Sequence, residues 1–237
     1  AIVLSLVAIV VGLFLNLEIR PDEIAMLPRP DGVPFETVFA IFFPAATGFT
    51  IGVAMSGDLK DPNKSIPKGT MLAILTGLAI YIILAVLFAF MINRDVLVSD
   101  YNFLTNIALW SPLVIAGIWG ATLSSGLGGI MGAPRVMQAI ALDKIMPRIF
   151  GKGAGVNNEP RNALLLTFLI AQMAILIGEL NVVARIATMF YMAAYGFINL
   201  SYVLESWASP DFRPSFRIPK WVGIVGFVVC FAVMFKL

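Results

Sequence analysis

The sequence predicts an all-α membrane protein, on three observations. The first is composition: 59% of the 237 residues are hydrophobic and 13% are charged, with a mean hydropathy of +0.93. A soluble domain carries about 25% charged and about 45–50% apolar residues, so the solvent this chain is built for is a bilayer. The second is a series of apolar stretches approaching the ~20 residues a helix needs to cross a hydrocarbon core. The third is the clustering of lysine and arginine in alternate connections. Disorder is excluded by the same composition. A net charge of +2 is too small to point to nucleic acid. Histidine is absent, which removes the commonest general base and metal ligand. One cysteine, Cys230, makes no intrachain disulfide or zinc site and is expected to be a packed thiol.

The expected spans are 1–17, 35–56, 69–93, 106–132, 162–179 and 182–206, with a seventh beginning at Trp221. The first starts at Ala1 without a polar flank or a basic leader, so it does not read as a signal peptide. It reads as the remainder of a longer helix, and the chain as a piece truncated at both ends. The run 106–145 is too long for one span. Proline ends or kinks a helix, so Gly132-Ala133-Pro134 is expected to interrupt it, with a separate cytoplasmic helix over Arg135–Ile145. Gly151-Lys152-Gly153-Ala154-Gly155 lacks the Gly-Lys-Ser/Thr ending and preceding strand of a phosphate cradle, and is expected to be a flexible cytoplasmic loop.

Loop charges orient the spans. Lys60, Lys64 and Lys68 lie in 57–68; Arg135, Lys144, Arg148, Lys152 and Arg161 in 133–161; Arg213, Arg217 and Lys220 in 207–220. The other connections hold Arg20, Arg29 and Arg94. The positive-inside rule places the first group in the cytoplasm, so the first span runs outward and the second inward. Trp207 and Trp221 flank a cytoplasmic loop and Trp110 starts a span at the outer face, where interfacial aromatics belong. The Asn63-Lys64-Ser65 sequon falls inside, where it is silent.

Carboxylates are nearly absent from the span interiors. Glu36 opens one span at its outer end, Glu179 sits with Asn181 at a helix–helix turn, and Arg185 is about one turn into its helix and can snorkel outward. A buried charge usually marks a proton relay; lacking one, the chain is expected to hold ions with backbone dipoles and hydroxyls. Phe42-Phe43-Pro44-Ala45-Ala46-Thr47-Gly48-Phe49-Thr50-Ile51-Gly52 offers such a place. Pro44 cannot donate a helix hydrogen bond and Gly48 tolerates unwound geometry. Glu36 to Ala46 is about 16 Å of helix, so the break falls near the midplane. A broken helix frees carbonyls on one side, which favour cations, and amides on the other, which favour anions. The alternative is a simple proline kink with Gly48 and Gly52 as a packing face. Ser124 and Ser125 could ligate a small hard cation through their hydroxyls and a backbone carbonyl, or the serines could bond back to their own helix. Tyr195 is too deep for the aromatic belt and needs a partner, which could be an ion or a neighbouring helix.

Several motifs resemble the cation–chloride cotransporter family: Phe39 to Gly48, Ser56-Gly57-Asp58-Leu59, Asp61-Pro62, Ser65 to Thr70, Gly120 to Ser125, Ala133-Pro134, Gln138-Ala139, Asn157 to Pro160, Glu179-Leu180-Asn181, Tyr195, Ile198-Asn199 and Arg213 to Phe216. The resemblance covers nearly the whole chain in order and spacing. It implies the amino-acid/polyamine/organocation superfamily and a fragment of its leucine-transporter-like inverted-repeat fold. By that register residues 1–237 form a single transmembrane domain fragment, with most of the fifth helix, the sixth to tenth, and the start of the eleventh. The first repeat and the cytoplasmic tails are then outside it. The connection 94–105 has no cysteines, unlike the long disulfide-bearing loop of animal members, which suggests a prokaryotic homologue.

The resemblance also implies ion sites. Pro44 and Thr47 match potassium ligands; Gly48, Phe49 and Thr50 match the amides of a chloride site; Tyr195 matches the tyrosine that caps that chloride. Ala121, Ser124 and Ser125 match sodium ligands, and the intact serine pair is similar to the sodium-dependent branch. Where the family has Gly-Ile-Leu-Ala-Gly or Gly-Ile-Met-Ala-Gly, this chain has Gly48-Phe49-Thr50-Ile51-Gly52. The expected activity is secondary active symport of chloride with sodium and potassium by alternating access. No enzyme activity, cofactor, transition metal or nucleic-acid partner is expected. The expected partners are inorganic ions, lipid and a second copy in a homodimer, and the expected location is the plasma (cell inner) membrane. Two alternatives stay open: an amino-acid permease of the same superfamily, and a non-transporting regulatory membrane subunit.

Overall fold

The computed structural model describes residues 1–15, 32–54, 56, 59–100, 102–156, 158–209, 214 and 218–237. Arg20, Arg29, Gly57, Asp58, Asn157, Arg213, Phe216 and Arg217 lie outside the described residues. In chain order the helices are α1 (Ile2–Leu15), α2 (Phe35–Phe42), α3 (Ile51–Ala54), α4 (Pro62–Met91), α5 (Arg94–Ser99), α6 (Phe103–Ile107), α7 (Ser111–Leu142), α8 (Arg161–Ile177), α9 (Leu180–Ala208) and α10 (Lys220–Lys236), with a 3₁₀ turn at Phe43–Ala46 between α2 and α3. Among the described residues there is no strand, and one isolated bridge joins Ala154 and Glu159. The described residues are thus all-α. Helices α4, α7 and α9 are long and apolar enough to cross a bilayer.

Two expected interruptions are absent. Helix α7 continues through Gly132-Ala133-Pro134 to Leu142, with Pro134 buried inside it. Proline removes one intrahelical bond, but the rest of the ladder persists, and packing favours one straight element: Gly132 lies against Ala54. At about 1.5 Å per residue, a 32-residue helix is longer than the hydrocarbon core of a bilayer is thick. Likewise 57–68 is not all loop. Helix α4 starts at Pro62, a position where proline's missing N–H costs nothing, and Lys64 pairs with Asp61 at 3.5 Å.

The Gly-rich segment after α7 is a closed turn. Ala154 and Glu159 exchange main-chain bonds of 2.8 and 2.9 Å, and Gly155 has a φ of +72°. Asn162 Nδ2 donates to Ile149 O at 2.9 Å, fastening the turn to α8. The 94–105 connection carries α5 and α6. Asn93 caps α5 by accepting from the Asp95 amide at 3.0 Å, and Asp100 accepts from the Asn102 amide and the Asn106 side chain, each at 2.8 Å.

The helices meet where side chains are small, as bilayer packing requires. At Gly12, α1 approaches so closely that a Cβ would overlap Ile107 O, and at Gly117 a Cβ would overlap Ser5. A cluster of Ile9, Leu13, Met91, Ile92, Ile107 and Val114 closes the outer end of that contact. Helices α9 and α10 pack through Gly196, Gly223 and Gly226 against Phe231, Val203 and Asn199. Lys236, at the far end of α10, pairs with Glu36 at 2.7 Å. That pairing puts the end of α10 and the start of α2 on the same side of the structure.

Candidate functional site

The expected break in the helix is present. Helix α2 ends at Phe42, the 3₁₀ turn Phe43–Ala46 carries Pro44 at its start, and Thr47 is extended (φ −99°, ψ −173°). Gly48 has φ +99°, a backbone state that an L side chain rarely adopts. Helix α3 then begins at Ile51. The simple proline kink is therefore excluded.

Three carbonyls on the α2 side, those of Ala40, Pro44 and Ala45, have hydroxyl partners. A continuous helix would pair the carbonyl of Ala40 with the amide of residue 44, but that residue is proline. The Thr188 hydroxyl of α9 donates to Ala40 O instead, at 2.6 Å. Pro44 O accepts from the Thr47 amide at 3.2 Å and from Thr47 Oγ1 at 2.7 Å. Ala45 O accepts from Tyr81 Oη of α4 at 2.6 Å, with Phe42 edge-on to the Tyr81 ring at 5.3 Å.

The α3 side is different. Ile51 donates to Gly48 O, and Val53 and Ala54 to Thr50 O, but among the described residues the amides of Gly48, Phe49 and Thr50 make no main-chain bond. Over this end lies Tyr195 of α9. Its ring stacks on Phe49 at 5.4 Å and 17°, on Tyr191 at 5.9 Å, and takes the edge of Phe43 at 6.3 Å. The Tyr195 hydroxyl is buried; the Thr50 side chain lies within reach of a weak hydrogen bond, but no partner among the described residues meets good hydrogen-bond geometry. A buried hydroxyl left unpaired is costly. Together with the free amides on this side of the break, the chemistry it fits is an anion.

The expected sodium residues Ala121, Ser124 and Ser125 share one face of α7 at i, i+3 and i+4. Along that helix they lie between Gly120, which packs on Ala1 just before α1, and Gly128, where Ile51 of α3 would come within 3.4 Å of a Cβ. Both serines are exposed. Thr122 bonds back to Ile118 O at 2.9 Å, whereas among the described residues neither serine does so. The structure thus brings Pro44 to Thr47 and Phe49 to Tyr195 directly. It sets the serine face one helical turn from the start of α3, without contact to the other residues. Thr188 and Tyr81 were missed by sequence reasoning. Tyr81 carries the same signal as Tyr195, a hydroxyl deep in an apolar run, and Pro44 by itself implies that some donor must reach Ala40.

The sequence matches the family model described as "Amino acid permease" over residues 25–237. Among curated proteins it is similar to Solute carrier family 12 member 2 of Mus musculus, 39% identical over 244 aligned positions covering 86% of this chain and 20% of that protein. It is also similar to Solute carrier family 12 member 1 of Homo sapiens, at 39% over 247 positions (87% and 22%), and to Solute carrier family 12 member 9 of Rattus norvegicus, at 38% over 207 positions (86% and 23%). The chain spans about a fifth of the length of the curated relatives it matches.

Proposed function

Since the chain belongs to the amino acid permease family, and resembles its cation–chloride cotransporters as the motifs indicated, we propose that it is part of a secondary active symporter that carries chloride with sodium and potassium across the plasma membrane. In this reading residues 1–237 are the second-repeat portion of a longer transporter. The observation that carries it is the buried Tyr195 hydroxyl, whose ring stacks on Phe49, together with the unbonded amides of Gly48, Phe49 and Thr50. Chloride would sit among these donors. Potassium would take the Pro44 carbonyl and Thr47 Oγ1, which already lie 2.7 Å apart; binding requires the Thr47 proton to turn away. Sodium would take the hydroxyls of Ser124 and Ser125 and the second lone pair of the Ala121 carbonyl.

Opposite charges at the two ends of one break attract strongly in a medium of low dielectric. Anion occupancy therefore raises cation affinity, and the reverse follows by linkage. Occupancy of both ends would favour rocking of one helix bundle against another. The test is rubidium and sodium uptake by the full-length protein in liposomes. Uptake of each cation is expected to require chloride, and uptake indifferent to chloride would sink the reading.

The family description favours one second reading, in which an amino-acid carboxylate takes the amide end. Unlabelled amino acids would then compete with chloride-dependent sodium uptake. Absence of ion flux under every gradient would instead favour the non-transporting subunit.

A further inference from the structure

Thr188 is one of three polar or charged residues buried among the described positions, and its side chain is fully enclosed. Its hydroxyl makes two contacts, 2.6 Å to Ala40 O on α2 and 3.0 Å to Ala184 O on its own helix. The shorter crosses to the one carbonyl that Pro44 cannot serve. An isosteric apolar side chain would leave that carbonyl unpaired in an apolar interior, so this position has a specific chemical need for a hydroxyl.

Thr188 and Tyr195 are seven residues apart on α9, which puts them on the same face, two turns from one another. Thr188 binds the carbonyl side of the break while Tyr195 stacks on Phe49 beyond it. Helix α9 is thus attached to both sides of the break, and the Thr188 attachment fixes the register at which Tyr195 meets Phe49. We infer that Thr188 is a positioning residue for the anion site: its bond to Ala40 O holds α9 against α2 so that Tyr195 can donate to the bound anion.

This rests on the anion reading of the break, and the experiment separates the two. Full-length protein carrying Thr188→Val, Thr188→Ser, Tyr195→Phe or Thr188→Val with Tyr195→Phe is reconstituted, and half-saturation by chloride and by sodium is measured beside maximal rate. Loss of part of one hydrogen bond to a charged group predicts a chloride half-saturation about three- to tenfold higher in Thr188→Val, with sodium activation much less changed. Thr188→Ser, which keeps the hydroxyl, should restore the wild-type value. In the Tyr195→Phe background Thr188→Val should add little, because both act on one interaction.

A lower maximal rate with unchanged half-saturation would reduce Thr188 to a folding role and overturn the inference, as would full additivity of the two substitutions. Tyr195→Phe without effect on chloride would overturn the anion reading itself. If Thr188→Val does not fold, the comparison of Thr188→Ala with Thr188→Ser carries the same test.

Discussion

Gly48→Ala is the substitution that bears most directly on the break. Its φ of +99° lies where L residues are strained, and a Cβ built there meets no atom within 4 Å. Steric conflict with a neighbour is therefore not the cost; the cost is backbone strain, about 1–3 kcal/mol for a non-glycine residue held in such a region. The chain can relieve it by rewinding, which would return the amides of Gly48, Phe49 and Thr50 to helical partners. If only the unwound form binds ions, apparent affinity falls by the lost population, or roughly 5- to 150-fold at 1.4 kcal/mol per decade. The carbonyl and amide ends belong to the same break, so half-saturation by rubidium and by chloride should rise together. Gly52→Ala is the control. It also meets nothing within 4 Å but lies inside α3, where alanine gains about 0.5–1 kcal/mol over glycine. The assay is ion-dependent uptake by reconstituted full-length protein. A Gly48→Ala variant indistinguishable from Gly52→Ala, or one that shifts a single ion, refutes the argument.

The remaining predictions concern the residues around it. Ser125→Ala should weaken sodium activation of rubidium uptake more than it weakens chloride affinity, since it removes one of two hydroxyls on the α7 face; unchanged sodium activation would count against the assignment. Tyr195→Phe leaves the ring stack on Phe49 intact and removes only the hydroxyl, so chloride half-saturation should rise about tenfold or more, as for a lost hydrogen bond to a charged group, with rubidium half-saturation far less affected. Gly12→Ala drives a Cβ into the main chain at Ile107, and overpacking of that kind costs about 1–3 kcal/mol. Thermal unfolding of the purified protein should show that loss, while Gly77→Ala, with open space around it, should show none.

The break and its two ends were legible in the sequence because proline and glycine act locally. Pro44 lacks its N–H whatever surrounds it, and Gly48 permits a backbone that other residues resist. Tyr195 was legible because a phenol at that depth needs a partner. The same logic misread Pro134, and the apolar stretch beginning at residue 69 understated where α4 starts. Proline fixes the loss of a bond, and neighbouring packing decides whether the helix also stops. Pro62 falls in a first turn, where the bond was never available. Pro134 is buried in a helix that packs through Gly132 on Ala54. The roles of Thr188 and Tyr81 were not legible, because they depend on which neighbour presents an unpaired carbonyl, and that is decided by how α9 and α4 lie against α2. Helices α5 and α6 were missed because six and five residues carry too little periodicity, though Asn93 and Asp95 were a cap signal in plain sight.

An unwound segment in hydrocarbon is stable only if its backbone polar groups find partners. Here those partners on the carbonyl side are hydroxyls from two other helices and one from the segment itself: Thr188, Tyr81 and Thr47. The amide side has no such supply among the described residues, only the Tyr195 hydroxyl, itself without a well-formed bond. This asymmetry explains why the break can persist without ions yet still have something to gain from an anion. It also explains why α9 matters twice, since the helix that stabilises the orphaned carbonyl of Ala40 is the one that carries the tyrosine stacked on Phe49. Any rotation of α9 against α2 would strain the Thr188 bond and move Tyr195 in the same motion, so in the proposed reading anion binding and helix movement share one set of contacts.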